Sequence, residues 1–387
     1  MTLKRNSKLF LVLFLGTLSA FGPFVTDLYL PALPTMSSYF NSSTSTIQLT
    51  LTGSMVGLAL GQLLIGPISD KYGRKNPLII SLIVYLISTI AIILFPNVYA
   101  MIVLRFIHGV SSAGAVVISR AISTDLYRGR ELAAFFALLM AVNGLAPILS
   151  PILGSVLLEL TDWRGIFITL ALIGVILLAV SFKFNESLAI EKRLDLPITK
   201  TYYSIVHVMK NRLFFALVIV QGFALAAMFA YIAASPFILQ THYSLSPLMY
   251  SLCFGLNGFA IVLGSKSAGN FKEKVSIKLG LSLMLLVSIY LAVALTLTLP
   301  FLFIEVGFFL LLLGLGFILP AGSAIAMSLE RERAGSASAF FGFVPFFLGG
   351  VVSPLVGIGN IFHSSAIAIV VCSAISFVTF KLVEKKI

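Results

Sequence analysis

The sequence predicts an all-α integral membrane protein, with twelve transmembrane helices arranged as two pseudo-symmetric six-helix bundles. Three observations support this prediction: the composition, a series of apolar segments of membrane-spanning length, and a short sequence repeated in the two halves. Of the 387 residues, 59% are hydrophobic and 10% are charged, whereas soluble domains carry about 25% charged residues. The main solvent of this chain is therefore expected to be a bilayer.

Twelve apolar segments are long enough to cross a bilayer, which takes about 20 helical residues. We place them near residues 8–30, 46–68, 77–95, 99–121, 133–158, 164–182, 213–237, 247–269, 276–297, 300–325, 336–357 and 363–381. The first segment follows basic residues and resembles a signal peptide, but it continues to Leu30 without a convincing cleavage site. We interpret it as an uncleaved first span.

The net charge of +12 indicates membrane topology and not nucleic-acid binding. Basic residues are not clustered on one face or in a tail; they separate the apolar segments and concentrate in alternate loops. The outer loops contain only Arg164. Because basic residues accumulate on the cytoplasmic side, both termini are expected in the cytoplasm, with the chain in a bacterial inner membrane.

The chain divides at its longest polar stretch into two similar halves. Residues 183–212 read as a solvated linker between an N-terminal bundle, 1–182, and a C-terminal bundle, 213–387. The sequence Ser-Pro-x-x-Gly occurs at Ser150–Gly154 in the fifth span and again at Ser353–Gly357 in the eleventh. Matching positions in the two halves indicate a parallel repeat of six spans.

The loop between the second and third spans carries a specific motif. Its residues read Gly66-Pro-Ile-Ser-Asp70-Lys-Tyr-Gly73-Arg74-Lys75, which resembles the G-x-x-x-D-x-x-G-R-K cytoplasmic loop of major facilitator superfamily transporters. A turn that only sets topology would explain the basic residues but not the glycines and the aspartate. Asp125 follows the fourth span at a similar depth, so we expect Asp70, Arg74 and Asp125 to form a latch that gates the cytoplasmic face.

Rows of small residues predict close helix contacts. Gly53, Gly57 and Gly61 lie four residues apart on the second span, so they share one helix face. A second row on the fifth span is interrupted by prolines; it consists of Ala146, Pro147, Ser150, Pro151 and Gly154. These rows suit surfaces on which the two halves rock against each other. The alternative is tight packing in a static bundle.

Two acidic residues, Asp27 and Glu305, lie inside apolar spans away from the cytoplasmic loops. A lone charge at membrane depth costs about 2.5–3.5 kcal/mol on insertion scales, so each needs a partner or a function. The depth of Asp27 matches that of Arg105 on the fourth span. An Asp27–Arg105 pair that opens on protonation would couple transport to protons; a static salt bridge is the alternative. Glu305 is left open between a second proton carrier, a ligand for a cationic substrate and a group that snorkels to water.

Several segments together resemble the Bcr/CflA drug-resistance branch of the major facilitator superfamily. The matching segments are Thr26–Pro34, Arg105–Gly109, Ser119–Tyr127, Ala146–Gly154, Trp163–Phe167, Met228–Phe237 and Gly335–Ala339. The resemblance implies proton-driven efflux of small amphipathic drugs, with Asp27 and Arg105 as the membrane acid and its basic partner. It also implies that the fifth-span row is an antiporter motif, although other small residues replace the motif glycines at Ala146, Ser150 and Ser155.

The predicted function is proton-coupled efflux of small amphipathic drugs or metabolites by alternating access. The first, fourth, seventh and tenth spans would line a central cavity. Polar or aromatic residues inside spans are its candidate lining: Tyr29, Asn143, Tyr231, Asn257, Phe340 and Phe341. The expected partners are a small-molecule substrate, protons and membrane lipids. The chain is expected to act as a monomer, without nucleic acid, cofactor or metal.

Other functions agree less well with the sequence. A proton symporter, or an exporter of one sugar, siderophore or similar metabolite, remains the main alternative. A polytopic enzyme would need clustered catalytic or metal-binding residues, and the four histidines are scattered. No G-x-x-x-x-G-K-[ST] loop occurs, so this chain does not drive transport with ATP by itself.

Overall fold

A computed structural model describes residues 7–193, 205–330 and 333–386, and this part of the chain is helical without strands. Twelve of its helical segments are long and apolar enough to cross a membrane. The predicted all-α, twelve-span fold is confirmed.

The helices follow the predicted order. The N-terminal α-helices are α1 (Lys8–Asp27), α2 (Leu33–Tyr39), α3 (Thr44–Tyr72), α4 (Lys75–Leu94), α5 (Val98–Leu126), α6 (Gly129–Leu160) and α7 (Trp163–Lys183). The C-terminal ones are α8 (Arg212–Pro236), α9 (Pro247–Ala268), α10 (Glu273–Thr296), α11 (Phe301–Leu329), α12 (Ala334–Val352) and α13 (Ile361–Val383). A short 3-10 turn, Leu30–Ala32, joins α1 to α2, and the first candidate span runs through both helices, Leu9–Tyr39.

Polar residues outside the apolar segments set where many helices begin. Asn97 accepts hydrogen bonds from the first backbone N–H groups of α5, and Asn211 and Asn360 do the same for α8 and α13. Such caps satisfy N–H groups that have no partner within the helix. By contrast, α4 begins after Arg74 without a cap from its own side chain.

The contacts group the described residues into two compact units. The first unit is the described part of Met1–Tyr29 and Gly53–Thr201, in which α1 packs on α5 and α6, and α4 packs on α5 and α7. The second unit is the described part of Leu30–Thr52 and Tyr202–Ile387, in which α11 packs on α9 and α10, and α8 packs on α12 and α13.

Hydrogen bonds explain why Leu30–Thr52 belongs to the second unit. The buried Gln48 donates from Nε2 to the carbonyl oxygen of Ala233 at 2.9 Å, and Ser45 donates to that of Pro354 at 3.0 Å. These units group residues by contact, and the division into sequence halves stays a proposal.

The repeated Ser-Pro-x-x-Gly sequence has a different conformation in each unit. Ser150–Gly154 lies inside the continuous helix α6, whereas Ser353–Gly357 forms a 3-10 helix after α12. A common feature is close approach at the glycine. A Cβ on residue 154 would lie 1.9 Å from the carbonyl oxygen of Leu28, and one on residue 357 would lie 2.6 Å from the backbone nitrogen of Ser45.

Candidate functional site

The structure brings together the three predicted side chains of the cytoplasmic loop, all within the first unit. Arg74 donates from Nη1 to Asp70 Oδ1 at 2.5 Å, from Nε to Asp125 Oδ2 at 2.8 Å and from Nη2 to Asp125 Oδ1 at 3.2 Å. Arg74 Nη1 also donates to Ser69 Oγ at 2.9 Å. The two bonds to Asp125 form the bidentate geometry that arginine makes with carboxylates.

Local geometry explains the motif residues. Asp70 lies in the last turn of α3, not in the turn after it, so Arg74 is one helical turn further along. Gly73 has φ +90°, a left-handed conformation that glycine adopts without steric cost. A Cβ at Gly66, in contrast, would come no closer than 3.7 Å to a neighbour. The structure therefore explains the glycine at Gly73 and gives no steric reason for the one at Gly66.

The environment of Arg74 keeps it charged. Burial by itself lowers the pKa of the guanidinium, but hydrogen bonds to Asp125 and Asp70 and the charges of these carboxylates outweigh burial, so the pKa is raised above its usual value. The guanidinium therefore keeps its charge at any physiological pH, and opening the cluster means breaking ion pairs and not deprotonating Arg74.

Asp27 is the last residue of α1 and is 8% exposed. Its Oδ1 accepts a hydrogen bond from Thr26 Oγ1 at 2.8 Å. The predicted ion pair with Arg105 is absent: no basic nitrogen of the described residues lies within 4.0 Å of the Asp27 carboxylate. The two residues are nevertheless close along the fold, because Arg105 contacts the same turn of α1 through the backbone.

Arg105 is fully buried and bonds to a helix end instead of a carboxylate. Its Nη1 and Nη2 both donate to the carbonyl oxygen of Val25 at 3.0 Å. Val25 lies in the last turn of α1, where carbonyls have no partner within the helix and the helix dipole favours a cation. This partner carries no side-chain signature, which is why the sequence pointed to Asp27.

Aromatic rings and a histidine complete the Arg105 environment. The guanidinium carbon lies 4.2 Å from the ring centroid of Tyr29, a cation–π distance. Arg105 Nη1 is 3.0 Å from His108 Nδ1, and the His108 ring stacks on Tyr85 at 4.3 Å. Among the described residues, Arg105 Nε and His108 Nε2 have no hydrogen-bond partner. Tyr29, predicted to line a cavity, lies here against Arg105.

The small-residue rows pack inside the first unit. A Cβ on Gly57 would lie 2.2 Å from the carbonyl oxygen of Phe106, and one on Gly61 would lie 2.5 Å from that of Val110. The row on α3 therefore contacts α5, which belongs to the same unit. Its interpretation as a surface between two rocking halves is wrong, because the missing side chains are replaced by the backbone of a neighbour within the unit.

The fifth-span row lies next to the acidic end of α1. Gly154 approaches the carbonyl oxygen of Leu28, the residue after Asp27. Ser150 donates to the carbonyl oxygen of Ala146 at 2.5 Å, and Pro147 and Pro151 lie within α6. Proline has no N–H to complete the helical ladder, so this part of α6 has fewer internal hydrogen bonds than a regular helix.

In the second unit, three predicted residues from three helices form one buried cluster. Asn257 on α9 donates from Nδ2 to Tyr231 OH on α8 and to Glu305 Oε1 on α11, both at 3.0 Å. Glu305 is 6% exposed, and no described basic residue forms an ion pair with it. Its Oε2 and Asn257 Oδ1 have no hydrogen-bond partner within the described ranges. Glu305 does not snorkel to the surface; it is held inside the unit.

The remaining predicted lining residues lie apart from these clusters. Asn143 on α6 donates to Ser19 Oγ on α1 at 2.6 Å in the first unit. Phe340 on α12 is buried and stacks with Phe215 at 6.2 Å in the second. Phe341, beside it, is half-buried. Their assignment to a cavity stays a prediction.

Two residues of the loop cluster were not predicted. Glu186 accepts hydrogen bonds from the backbone of Arg74 and Lys75, and Ser187 donates to Asp125. Both lie just after α7 in the segment interpreted as a solvated linker. The signal that could have revealed them is that Glu186 is the first acidic residue after the sixth span, on the same predicted side of the membrane as Arg74.

Twelve spans and ionisable groups held inside them are the features of a polytopic membrane transporter. The sequence profile of the Major Facilitator Superfamily matches residues 9–354. The chain belongs to the major facilitator superfamily.

Relatives and solved structures agree with this assignment. The chain is 36% identical over 362 residues to the "Uncharacterized MFS-type transporter YdgK" of Bacillus subtilis (strain 168), covering 92% of this chain and 90% of that one. It is 27% identical to a "Bicyclomycin resistance protein homolog" of Haemophilus influenzae, covering 70% and 69%. It is 26% identical to the "Multidrug transporter MdfA" of Yersinia pestis, covering 65% and 61%.

Among solved structures, a bacterial homologue of the human lysosomal transporter Spinster matches with a TM-score of 0.75 at 14% identity, covering 97% of this chain and 98% of that one. These similarities confirm the resemblance to the drug-resistance branch. They are similarities to transporters, not to enzymes.

Proposed function

We propose that this protein exports small amphipathic drugs or metabolites across the bacterial inner membrane by alternating access, driven by inward proton flow. One observation carries the proposal. Asp27 is buried at the end of the first span, has no cationic partner, and adjoins both the turn that binds Arg105 and the approach of α6 at Gly154. A buried, unpaired acid inside a membrane span is a functional group by default.

The drug class is supported by the names of relatives. Proteins similar to this chain are called a bicyclomycin resistance protein homolog and a multidrug transporter. In this proposal the protein works as a monomer with both termini in the cytoplasm, and its cavity is lined by the predicted polar and aromatic residues. The cluster of Asp70, Arg74 and Asp125 gates the cytoplasmic face.

The test is transport into inverted membrane vesicles with an imposed pH gradient. Three probes separate the substrate classes: the cationic dye ethidium, the neutral antibiotic bicyclomycin and the sugar xylose. An exporter driven by protons accumulates its substrate when the vesicle lumen is acidic, because protons then leave as substrate enters. A symporter accumulates it under the opposite gradient, so the sign of the dependence decides between these two functions.

Asp27→Asn is the decisive variant, and we expect it to lose gradient-driven accumulation. Asparagine keeps the shape of the side chain and a carbonyl oxygen for Thr26, so the variant is expected to fold. Glu159→Gln, the same chemical change at an exposed residue of α6, is the matched control and should transport at the wild-type rate. Gradient-driven transport by Asp27→Asn would make Asp27 a structural residue.

A further inference from the structure

The segment after α7 binds the beginning of α4 through one carboxylate. Glu186 Oε1 accepts from the backbone N–H groups of Arg74 at 3.0 Å, Ser187 at 2.9 Å and Leu188 at 3.0 Å, and Oε2 accepts from that of Lys75 at 3.1 Å. Since α4 has no cap from its own side chain, a residue 112 positions away in sequence supplies it. A carboxylate at a helix N-terminus also interacts favourably with the helix dipole.

The same segment also binds the other partner of the Arg74 ion pair. Ser187 Oγ donates to Asp125 Oδ2 at 2.9 Å, and this oxygen is the one that accepts from Arg74 Nε. Lys75 in turn donates from Nζ to the carbonyl oxygen of Phe182, near the end of α7, at 2.8 Å. Adjacent residues, Glu186 and Ser187, therefore hold both sides of the ion pair that joins the loop to α5.

Gly73 is shaped to receive this segment. A Cβ on Gly73 would lie 2.6 Å from Glu186 Oε2 and 2.7 Å from Arg193 Nη2, besides requiring the strained positive φ. Arg193 Nη2 itself lies 3.9 Å from Glu186 Oε2. The motif glycine thus serves a contact as well as a turn.

We infer that Glu186 and Ser187, which we call the linker strap, are positioning residues that hold Arg74 and Asp125 in the geometry needed for gating. This inference rests on the proposed gating role of the loop. The strap touches no substrate in this account; it acts through Arg74 and Asp125. Its loss should slow the conformational step and leave substrate affinity unchanged, because the residues that would bind substrate lie elsewhere.

The structural arm of the test is amide hydrogen exchange of the full-length protein in nanodiscs, and it needs no substrate. Glu186→Gln replaces one acceptor oxygen with an N–H₂ donor and removes the charge. We expect faster exchange at Arg74 and Lys75, and also in the last turn of α5 beside Asp125. Ser187→Ala should affect only the α5 end. The matched control is Glu191→Gln, the same change at an exposed residue of the linker.

The functional arm measures ethidium transport in vesicles, both down a concentration gradient and with a pH gradient. We expect Glu186→Gln to lower kcat by about 2- to 30-fold, the range equivalent to loss of one helix cap, with KM unchanged. Faster exchange confined to Arg74 and Lys75, or wild-type kcat, would reduce Glu186 to a simple cap and overturn the inference. If the pH gradient has no effect on the wild type, proton coupling fails while the exchange and downhill data still judge the strap; if ethidium is not transported, the exchange pattern judges it alone.

Discussion

Arg74 is the residue on which the cytoplasmic cluster converges, and its two carboxylate partners differ in environment. The side chain of Asp125 is 13% exposed, whereas that of Asp70 is 50% exposed. Ion pairs in water contribute about 0–1 kcal/mol, while removing one partner of a buried pair costs about 3–5 kcal/mol. The sequence motif gives both aspartates equal weight; the structure does not.

We therefore predict that Asp125→Asn slows transport and lowers thermal stability much more than Asp70→Asn. The asparagine at position 125 would leave the charge of Arg74, which is 5% exposed, with only its more exposed partner. The measurement is the midpoint of thermal unfolding in detergent together with kcat for ethidium transport. Equal effects of the two substitutions would contradict this ranking and indicate that solvent screens both pairs alike.

At the scale of the element, the glycine row of α3 allows close contact with α5. The carbonyl oxygen of Phe106 and the backbone nitrogen of Val110 would lie 2.2 and 2.9 Å from a Cβ at position 57. Both are backbone atoms that cannot rotate away, so the helices themselves would have to separate. The row is thus a device for packing within the first unit.

We predict that Gly57→Ala destabilises the protein by about 1–3 kcal/mol, the usual cost of overpacking, and that Gly57→Leu is worse. Thermal unfolding in detergent measures the effect. Gly16→Ala is the control, because its Cβ would lie an ordinary 3.9 Å from Val142. If Gly57→Leu keeps wild-type stability but loses transport, the row would be a moving surface after all, and the packing account would be wrong.

Hydropathy was sufficient to predict the spans, because every membrane helix needs a long apolar segment whatever its neighbours are. The cluster of Asp70, Arg74 and Asp125 was predictable because its members stand at fixed distances from span ends. The partner of Arg105 was not, since the carbonyl oxygen of Val25 has no side-chain identity. Glu186 was missed for a related reason: its contacts are with backbone N–H groups of a distant segment, and a sequence does not show which backbone a carboxylate will meet.

At the scale of the whole molecule, each unit holds one buried acid with no ion-pair partner among the described residues: Asp27 in the first and Glu305 in the second. Their surroundings differ. Asp27 adjoins a region with a buried arginine, a histidine and a proline-containing helix, whereas Glu305 is held by Asn257, which also binds Tyr231. The proposed proton coupling needs at least one of these acids, and the difference in surroundings assigns it to Asp27.

We predict that Glu305→Gln retains pH-driven transport, while Asp27→Asn loses it. A glutamine at position 305 still offers an oxygen to Asn257 Nδ2, so the cluster should stay intact. It removes the only acidic side chain that the described second unit holds inside a span, so transport of the cation ethidium should weaken relative to that of neutral bicyclomycin. The measurement is accumulation of both probes in inverted vesicles, driven in turn by a pH gradient and by a membrane potential. The opposite pattern, with Glu305→Gln uncoupled and Asp27→Asn still coupled, would move the proton to the second unit and leave Asp27 with a structural role at the end of α1.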